Sequence, residues 1–591
     1  MNLSKKLQKS IKEALFALYQ YDCGLDKLKL SPTERGYKGT HTLMLFAMAG
    51  MMKIGPLELG SAIGDWLVKN SDLVLGYEVV KGFLNLTLRD KAWDYLLEEV
   101  AEGLSYKSSK SGRRILVEFS QPNTNKPLHL GHLRNNFLGT ALSNILMEVG
   151  HDVSRVNIMN DRGIHICKSM IAYERYGKGQ TPESTGMKGD HFVGHYYVLF
   201  EKVYKEEVAR LREKVGDERA RKQAPIMCAA QEMLAKWESG DKAVCALWKK
   251  MNAWVFKGFD LTYKRSGTFF DKIDYESDTY LLGKEVVKEG LRGGIFQKRE
   301  DGSVWIDLRD VKLGEKLLLR GNGTTVYMTQ DMGLIDSRYE TYHFDKHIYV
   351  VGNEQKRHFE VLFEVMRRLG RTYEDKLYHL AYGMVDLPSG KMKSREGTSV
   401  DADNLIDQMV AMAKVMTESL GKGVVFGEEQ ARRLYDMLGI GAIKYFLLRV
   451  NPHKRLLFNP KETIDFQGNT AAFIQYTHAR VCTMLRKARC EKELVIKRWD
   501  RAWDEAEQRI LLQLGRYYDH LRSAAQGYNP AILADYVYQL AKAYNHMYAK
   551  LPMMHAKDRV LAERRLYLSW VTARLIKKGM LLLGIEVPDR M

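Results

Sequence analysis

The sequence predicts a multidomain protein whose largest part has an α/β fold. The chain has 591 residues, of which 45% are hydrophobic, and this length should divide into roughly three to five domains. From residue 115 onward, strand-like and helix-like segments alternate, at 115–119, 133–147, 153–158 and 164–176. This βαβ order predicts a parallel sheet with a ligand at the carboxyl ends of its strands. From about residue 402 the pattern becomes mainly helical.

The first unit is predicted to span residues 1–107. Its opening helix, at 3–19, has apolar residues spaced for one buried face, namely Leu7, Ile11, Leu15 and Leu18. A second helix is predicted at 42–53, and a strand at 82–88 closes the unit. The stretch 106–114 is rich in Ser, Lys and Gly, which is typical of a linker.

The parallel-sheet domain is predicted to span residues 108–400. Residues 177–270 interrupt the strand pattern with charged, helix-compatible segments, which indicates an insertion. Beyond it, three strands and one helix are predicted, at 304–308, 325–328, 346–351 and 358–369. We assign residues 401–464 to a helical connection and 465–591 to an all-helical bundle.

Composition narrows the choice of partner and compartment. A net charge of +18 and a pI near 9.3 favour a polyanionic partner. No apolar run approaches the ~18–20 residues needed to cross a bilayer, and the first residues lack a signal-peptide core. We therefore expect no membrane association. Six cysteines lie far apart without a C-x-x-C pair, which predicts free thiols in the cytosol and no zinc site.

The residues with the clearest chemistry lie where the first strand of this domain leads into a helix. His129 and His132 are three residues apart, so their rings share one face of the first turn. Gly131 lets a phosphate or a base approach the backbone, and a helix N-terminus attracts phosphate. An ordinary helix cap with satisfied histidines is the alternative. Far along the chain, a basic loop carries Lys391 and Lys393.

These two motifs, in this order, resemble the two ATP-handling motifs of class I aminoacyl-tRNA synthetases. Four segments are similar to arginyl-tRNA synthetases, at 118–134, 327–331, 349–358 and 583–591. The resemblance covers nearly the whole chain. It implies a Rossmann-like catalytic domain with an insertion and an N-terminal α/β (α+β) domain that contacts the tRNA corner. It also implies a C-terminal all-helical bundle that reads the anticodon.

The resemblance assigns an arginine-binding role to five residues. Arginine presents a guanidinium with five donors and no acceptor, and the matching positions are Glu118, Tyr327 and Asp331. Asn123 and Gln355 match the positions that hold the α-amino and carboxylate ends. Since Tyr327 and Asp331 are four residues apart, they would share one side of a helical turn. Asp331 could instead cap a helix, and Asn123 or Gln355 could serve a turn.

The resemblance also implies ATP as a substrate, accompanied by Mg²⁺. His129, His132 and the loop lysines would act on its phosphates. Further positions that match the family's ATP site are Gly131, Gly352, His358, Met384, Val385 and Ser394. The loop departs from the pattern Lys-Met-Ser-Lys-Ser, because Ser394 stands where the second lysine belongs. Lys126 is the candidate to compensate; otherwise it is a solvated loop lysine.

The expected function is therefore arginine–tRNA ligation by a monomeric cytosolic enzyme with arginine, ATP and tRNA as its partners. Another class I aminoacyl-tRNA synthetase is the closest alternative. A non-catalytic tRNA-binding paralogue with decayed ATP motifs is the second. Tyrosines interleaved with Lys and Arg in 473–580 suit stacking on unpaired anticodon bases, although tyrosine at helical spacing is usually a core residue.

Overall fold

The computed structural model describes residues 3–34, 36–105, 111–387, 400–419, 427–490, 494, 496, 499–554 and 558–591. The predicted ATP-binding residues Lys391, Lys393 and Ser394 lie outside these ranges. Within them, no helix is long and apolar enough to span a membrane. All six cysteines are described and carry free thiols, as expected.

The N-terminal unit is an antiparallel sheet covered by helices. Its elements are α1 (Leu3–Tyr19), β1 (Leu30–Pro32), β2 (His41–Met44), α2 (Phe46–Met52), α3 (Pro56–Asn70), β3 (Val74–Val80), β4 (Phe83–Leu88) and α4 (Asp90–Ser105). The strand order is β1-β2-β4-β3. Helix α1 has the predicted bounds, and its apolar face is buried except at Leu18.

The predicted helix at 42–53 is wrong at its start. Thr42 lies in β2, whose residues His41 to Met44 pair with Leu86 to Phe83 of β4. Both Thr42 and Leu43 are buried in this sheet. Pairing with a distant strand therefore overrides the local helical pattern, and the helix begins only at Phe46.

The parallel-sheet domain contains five parallel strands, as predicted. Its strands are β5 (Arg114–Glu118), β6 (Asp152–Met159), β7 (Lys272–Tyr275), β11 (Lys346–Gly352) and β12 (Leu377–Tyr382). They follow the order β12-β11-β5-β6-β7, and all neighbours are parallel. Helices α5 (Leu130–Glu148) and α6 (Ile164–Tyr176) follow β5 and β6, as the βαβ pattern predicts.

Helices fill the segment between β6 and β7. They are α7 (Pro182–Thr185), α8 (Gly189–Val215), α9 (Asp217–Gln223), α10 (Pro225–Glu238) and α11 (Lys242–Ser266). Helix α8 packs against α6 and α11, and α10 packs against α6. These helices therefore form a layer that returns the chain to the sheet edge.

A smaller antiparallel sheet follows β7. The sheet consists of β8 (Gln297–Lys298), β9 (Val304–Leu308) and β10 (Gly314–Leu319). Helices α12 (Glu276–Thr279) and α13 (Gly283–Arg292) precede it, and α14 (Tyr327–Tyr342) follows it. Helix α15 (Lys356–Arg368) lies between β11 and β12, and β13 (Val385–Asp386) pairs with Leu456–Leu457 in a separate sheet. The predicted strand 304–308 is β9, which pairs antiparallel with β10 and β8. The predicted strand 325–328 is wrong, because α14 begins at Tyr327. The Thr329 hydroxyl accepts from the Val326 N–H and starts the helix there.

The remainder is helical, as predicted. It comprises α16 (Ala402–Ser419), α17 (Glu428–Leu448), β14 (Leu456–Leu457), α18 (Pro460–Thr463), α19 (Ala471–Lys487), α20 (Glu505–Gly515), α21 (Tyr517–Gln526), α22 (Pro530–Lys550) and α23 (Arg559–Leu582). Tyr536 and Tyr544 are fully buried between these helices, so both are core residues. Tyr548 retains an exposed ring that can meet a partner.

A buried cluster of three charged side chains lies inside this bundle. Glu507 on α20 accepts from Arg564 at 2.5 Å and from Arg565 at 2.9 Å, both on α23, and its side chain has 0% exposure. We predict that Glu507→Gln lowers the free energy of unfolding by about 3–5 kcal/mol, because two buried guanidiniums lose their counter-charge. Chemical denaturation followed by tryptophan fluorescence measures this change.

The matched control is Asp217→Asn, which removes an exposed partner of Arg212 and Arg221. Exposed pairs contribute little, so the denaturation midpoint should not move. Equal midpoints for the Glu507 variant and the parent protein would contradict the importance of the buried pair.

Candidate functional site

The site lies at the topological switch point of the parallel sheet. Strands β5 and β11 are neighbours, and the sheet continues from them in opposite chain directions. A crevice opens at the carboxyl ends of such strands. The segment 119–129 after β5 and the short helical turn Asn353–Gln355 after β11 flank it. Asn123 and Gln355, both exposed, thus stand on the two sides of this crevice.

The chain leaves β5 through a strained turn. Ser120 and Gln121 adopt positive φ angles of 83° and 51°, which side-chain-bearing residues rarely do. The amides of these residues donate to Asn135 Oδ1 at 2.7 Å and Asn157 Oδ1 at 2.9 Å. A buried contact of 2.7 Å between the Ser120 hydroxyl and Tyr263 on α11 supports the turn. Such strain persists only where neighbours enforce it, and it is common at functional sites.

His129 and His132 cap the N-terminus of α5 with their own rings. His129 Nδ1 accepts from the Gly131 N–H, and His132 Nδ1 accepts from the His129 N–H, both at 3.1 Å. In a neutral imidazole, one nitrogen accepts and the other carries the proton. Each Nε2 is therefore a donor, so the cap and the phosphate-binding interpretations of this motif are compatible.

Both imidazoles are held neutral. Burial, assisted by the positive charge of Lys126, lowers the pKa of His129 to about 4. Burial also lowers the pKa of His132 well below its usual range, and His129 and Lys126 add to this effect. Lys126 precedes His129 by three residues, and its positive charge acts on both rings.

The loop that carries Lys391, Lys393 and Ser394 lies outside the described residues, but the backbone that follows it does not. The Leu130 amide donates to the Val400 carbonyl, and the Ala402 amide donates to the Leu128 carbonyl, both at 3.0 Å. The segment 400–402 therefore runs against the backbone of the histidine motif. The residues that follow the second motif are therefore adjacent to the backbone of the first.

Three of the predicted ATP-binding positions, Gly352, Met384 and Val385, lie close together. A Cβ placed on Gly352 would lie 3.4 Å from the sulfur of Met384, so these two positions are in contact range. Val385 pairs with Leu456 of β14. The fully buried Arg134 on α5 donates to the carbonyl of Met384 at 3.4 Å and to the carbonyls of Pro452 and Lys454. Arg134, which the sequence did not single out, thus fixes this wall to the histidine helix.

Tyr327 and Asp331 lie on the first turns of α14, as the four-residue spacing predicts. Tyr327 is exposed. Asp331 Oδ2 lies 2.6 Å from His358 Nε2, so His358 contacts the predicted arginine side of the site. Burial raises the pKa of Asp331, although His358 opposes this shift. The ATP-binding role of His358 stays a prediction.

Glu118 is more enclosed than a substrate-facing carboxylate would be. Its Oε2 accepts from Arg338 of α14 and its Oε1 accepts from Gln121, while Arg338 also donates to Asp274 on β7. Burial favours the neutral acid, but the adjacent Arg338 charge outweighs it and holds the pKa of Glu118 at about 2. Direct contact between Glu118 and arginine therefore stays a prediction.

The structure adds a carboxylate that the sequence analysis missed. Glu276 directly follows β7 and is 6% exposed. Burial raises the pKa of Glu276 to about 7; Arg162 opposes this shift, and Asp161 and Asp331 reinforce it. Glu276 also acts electrostatically on Tyr327. The four-residue strand β7 was too short to recognise, so an acidic residue at its carboxyl end gave no usable signal.

Comparison with known proteins places this geometry in a family. The profile of the class I tRNA synthetase (R) catalytic domain matches residues 96–459, and that of the DALR anticodon binding domain matches 474–591. The arginine–tRNA ligase of Amoebophilus asiaticus is 51% identical, with both chains covered completely. The chain belongs to the arginyl-tRNA synthetase family. The arginine–tRNA ligase of Bacteroides fragilis is 48% identical, again over all of both chains.

Solved structures agree on the fold of this arginyl-tRNA synthetase family member. Thermus thermophilus arginyl-tRNA synthetase superposes with a TM-score of 0.77 at 24% identity. The Plasmodium falciparum enzyme superposes with a TM-score of 0.73 at 18% identity. In both cases all of each chain is covered. The N-terminal unit, the parallel-sheet domain and the helical bundle are thus shared at the level of the fold.

Two groups of metal-ligand side chains occur in the described parts of this family member. They are His478, Cys482 and Asp589 in one group, and Asp190, His191 and Asp403 in the other. Burial raises the pKa of the Cys482 thiol to about 11, so it is protonated at neutral pH in the absence of a metal. The ammonium of Lys188 lies 2.6 Å from Asp403 and 3.1 Å from Asp190, so that group already contains a cation.

The capping geometry predicts the protonation of the motif. We expect His129 and His132 to remain neutral with the proton on Nε2 between pH 5 and pH 8. The reason is that burial lowers both pKa values and each Nδ1 accepts a backbone N–H. Because both pKa values are depressed, stability should fall as pH drops below the unfolded-state value of about 6.5.

Long-range ¹H–¹⁵N correlation spectra of histidine-labelled protein measure this tautomer. His343, which is exposed at the carboxyl end of α14, serves as the internal control. A titration of His129 near pH 6.5, or a proton on its Nδ1, would contradict the cap.

Proposed function

We propose that this chain is an arginine–tRNA ligase, which activates arginine with ATP and transfers it to the 3′ end of its tRNA. The observation that carries the proposal is the acidic wall at the carboxyl ends of the sheet. Glu276 begins α12, which packs against α14, the helix that carries Tyr327 and Asp331. These residues lie on the same edge of the sheet as the two neutral histidines. A guanidinium has donors only, so carboxylates and a phenol suit it.

The substrate guanidinium would take the place of His358 beside Asp331. The pair at 2.6 Å indicates that Asp331 is positioned to accept from a cation. The arriving positive charge would lower the pKa of Glu276, so that the acid releases its proton to solvent and binds as a carboxylate. We propose that Glu118 contributes mainly through Arg338 and Gln121, whose positions it sets. Asn123 and Gln355 would hold the α-amino and carboxylate ends across the crevice.

Activation requires attack by the arginine carboxylate on the α-phosphate and departure of pyrophosphate. The Nε2–H groups of His129 and His132 would donate to phosphate oxygens as charge develops. Preorganised donors are effective because they need no reorientation during the reaction. Lys126 and the loop lysines would supply positive charge. Mg²⁺ would be held chiefly by the phosphates, as is common, and would neutralise their charge.

The remaining units would bind tRNA. The net charge of +18 favours a polyanion and predicts salt-sensitive binding. We propose that residues 465–591 read the anticodon, that residues 1–107 contact the tRNA corner, and that 401–464 join the bundle to the catalytic domain 108–400. A monomer acting in the cytosol stays our prediction.

Amino-acid-dependent ATP–pyrophosphate exchange in the presence of tRNA tests the function. We expect exchange with arginine alone among the twenty amino acids. Exchange with a different amino acid would indicate another class I synthetase. Binding of tRNA without any exchange would indicate a non-catalytic paralogue.

The acidic wall predicts how substrate choice fails. Glu276→Gln and Asp331→Asn should each raise the KM for arginine. Each should lose about 2–5 kcal/mol of binding free energy, because one partner of a desolvated charged pair is removed. The KM for ATP should change little. Steady-state exchange measures both constants.

The pKa of Glu276 adds a pH signature. Since the value is raised to about 7, protonation below pH 7 removes its charge, and kcat/KM for arginine should fall in that range. In Glu276→Gln this dependence should disappear. A pH profile identical to that of the parent enzyme would exclude Glu276 from the pocket. Glu285→Gln, at an exposed carboxylate paired with Lys288, is the matched control.

The altered loop motif predicts which lysine supplies positive charge to the phosphates. Lys126→Ala should reduce activation by about 10²-fold or more, because a charge beside the phosphates is lost, whereas Lys393→Ala should be tolerated. A lysine is a point charge on a flexible stem and can act from either segment. Single-turnover adenylate formation measures the effect.

The reverse pattern would show that the loop acts through Lys393. Ser394→Lys in the Lys126→Ala background restores the family pattern and serves as the rescue control. Recovery would show that the two positions serve the same phosphates, and failure would leave Lys126 with a structural role.

A further inference from the structure

A network of charged side chains joins the insertion to the segment after the second ATP motif. Lys188, just before α8, donates to Asp403 at 2.6 Å, to Thr262 at 2.5 Å and to Asp190 at 3.1 Å. His191 Nε2 lies 3.1 Å from Asp401 and 3.3 Å from Asp403. The Thr262 hydroxyl on α11 contacts Asp403 at 3.0 Å. Three elements distant in sequence thus share one network.

The network is shielded from solvent. The side chains of Asp190, Asp401 and Asp403 are 0%, 15% and 17% exposed, while Lys188 is 18% and His191 is 28% exposed. Three carboxylates therefore surround two basic groups in a partly desolvated space. Such pairs are strongly directional, and loss of one partner leaves a charge without compensation.

The same segment is bonded to the histidine motif. The backbone of Asp401 pairs with that of His129, and hydrogen bonds of 3.0 Å on either side join Leu130 to Val400 and Ala402 to Leu128. The Asp401 side chain faces His191 while its backbone faces His129. Any displacement of residue 401 therefore displaces the residue that caps α5.

Helix α8 also contacts the other side of the motif. A Cβ placed on Gly194 would lie 2.7 Å from Pro127 Cδ, so α8 packs tightly against the residues that lead to His129. At Gly189 a Cβ would lie 2.0 Å from the Trp254 carbonyl of α11, which shows a backbone contact between the two helices. Helix α8, which follows Lys188 and carries His191, is therefore closely packed on both sides, so these two residues have fixed positions.

We infer that Lys188 and His191 of the insertion position the ATP-handling histidines by anchoring Asp401 and Asp403. The inference rests on the proposed function for its kinetic readout. These side chains are positioning residues, since they act through the backbone of 400–402 and not on substrate. The insertion is thereby part of the framework of the nucleotide site.

Asp403→Asn and the milder Thr262→Val test the inference in the full-length protein. Thr262→Val retains every charge and nearly the same volume. For Asp403→Asn, kcat/KM for ATP in arginine-dependent exchange should fall about tenfold or more. The reason is that a small displacement of the histidine donors lowers the rate of the chemical step. The KM for arginine should change by less than about twofold, as for an interaction outside the arginine pocket. Thr262→Val should show the same selectivity with a smaller loss.

Two further variants separate positioning from general stability. Leu308→Ala removes a fully buried side chain of β9, outside the residues assigned to substrates or tRNA. It should lower stability through the cavity that it leaves, with the kinetic constants for ATP unchanged. Asp403→Glu retains the carboxylate and should recover part of the lost activity. A double-mutant cycle between His191→Gln and Asp401→Asn should be non-additive, because these side chains contact each other.

The ¹⁵N signals of His129 give a readout that does not depend on activity. They should shift in Asp403→Asn and in Thr262→Val but not in Leu308→Ala. Parent-like ATP constants and unshifted His129 signals in folded Thr262→Val would overturn the inference, as would an equal loss of ATP constants in Leu308→Ala. If the parent protein showed no arginine-dependent exchange, the proposed function would fail, and the His129 signals alone would decide the positioning role.

Discussion

The arginine side of the site depends on one buried guanidinium that belongs to the protein. Arg338 is 3% exposed and is neutralised by Glu118 at the end of β5 and by Asp274 on β7. A charge in such a place is tolerated only when it is paired. Because Arg338 lies on α14, the ion pairs fix this helix against two strands. Tyr327 and Asp331 project from the same helix, so their positions follow from the pairing beneath them.

The protein's own Arg338 is thus buried on the helix that carries Tyr327 and Asp331. Two buried carboxylates of this region, Glu118 and Glu276, differ in their pKa values. Glu118 remains ionised, with a pKa of about 2, since Arg338 neutralises it. Glu276 is about half protonated at pH 7, because burial raises its pKa to about 7. The first carboxylate is committed to structure, whereas the second can respond to a cation that arrives from solution.

Features set by neighbouring residues could be predicted from the sequence, and features set by distant ones could not. Helices at 3–19 and 164–176 and the strand at 304–308 have clear periodicity, and the histidine cap needs only four residues. Thr42 lies in a strand because of a partner on β4. Glu276 follows a strand of four residues, and Lys188 meets Asp403 across 215 positions. None of these three features produces a periodic pattern in the local sequence.

The insertion also has a consequence for how the sheet forms. Strands β6 and β7 are hydrogen-bonded neighbours, although helices α6 to α11 separate them in the chain. If that segment were a flexible coil, bringing its ends together would carry an entropic penalty. Packing of α8 against α6 and α11 shortens it to a rigid bridge. We therefore expect β7 to dock after the bridge has folded, so that the acidic wall is among the last parts of the molecule to become ordered.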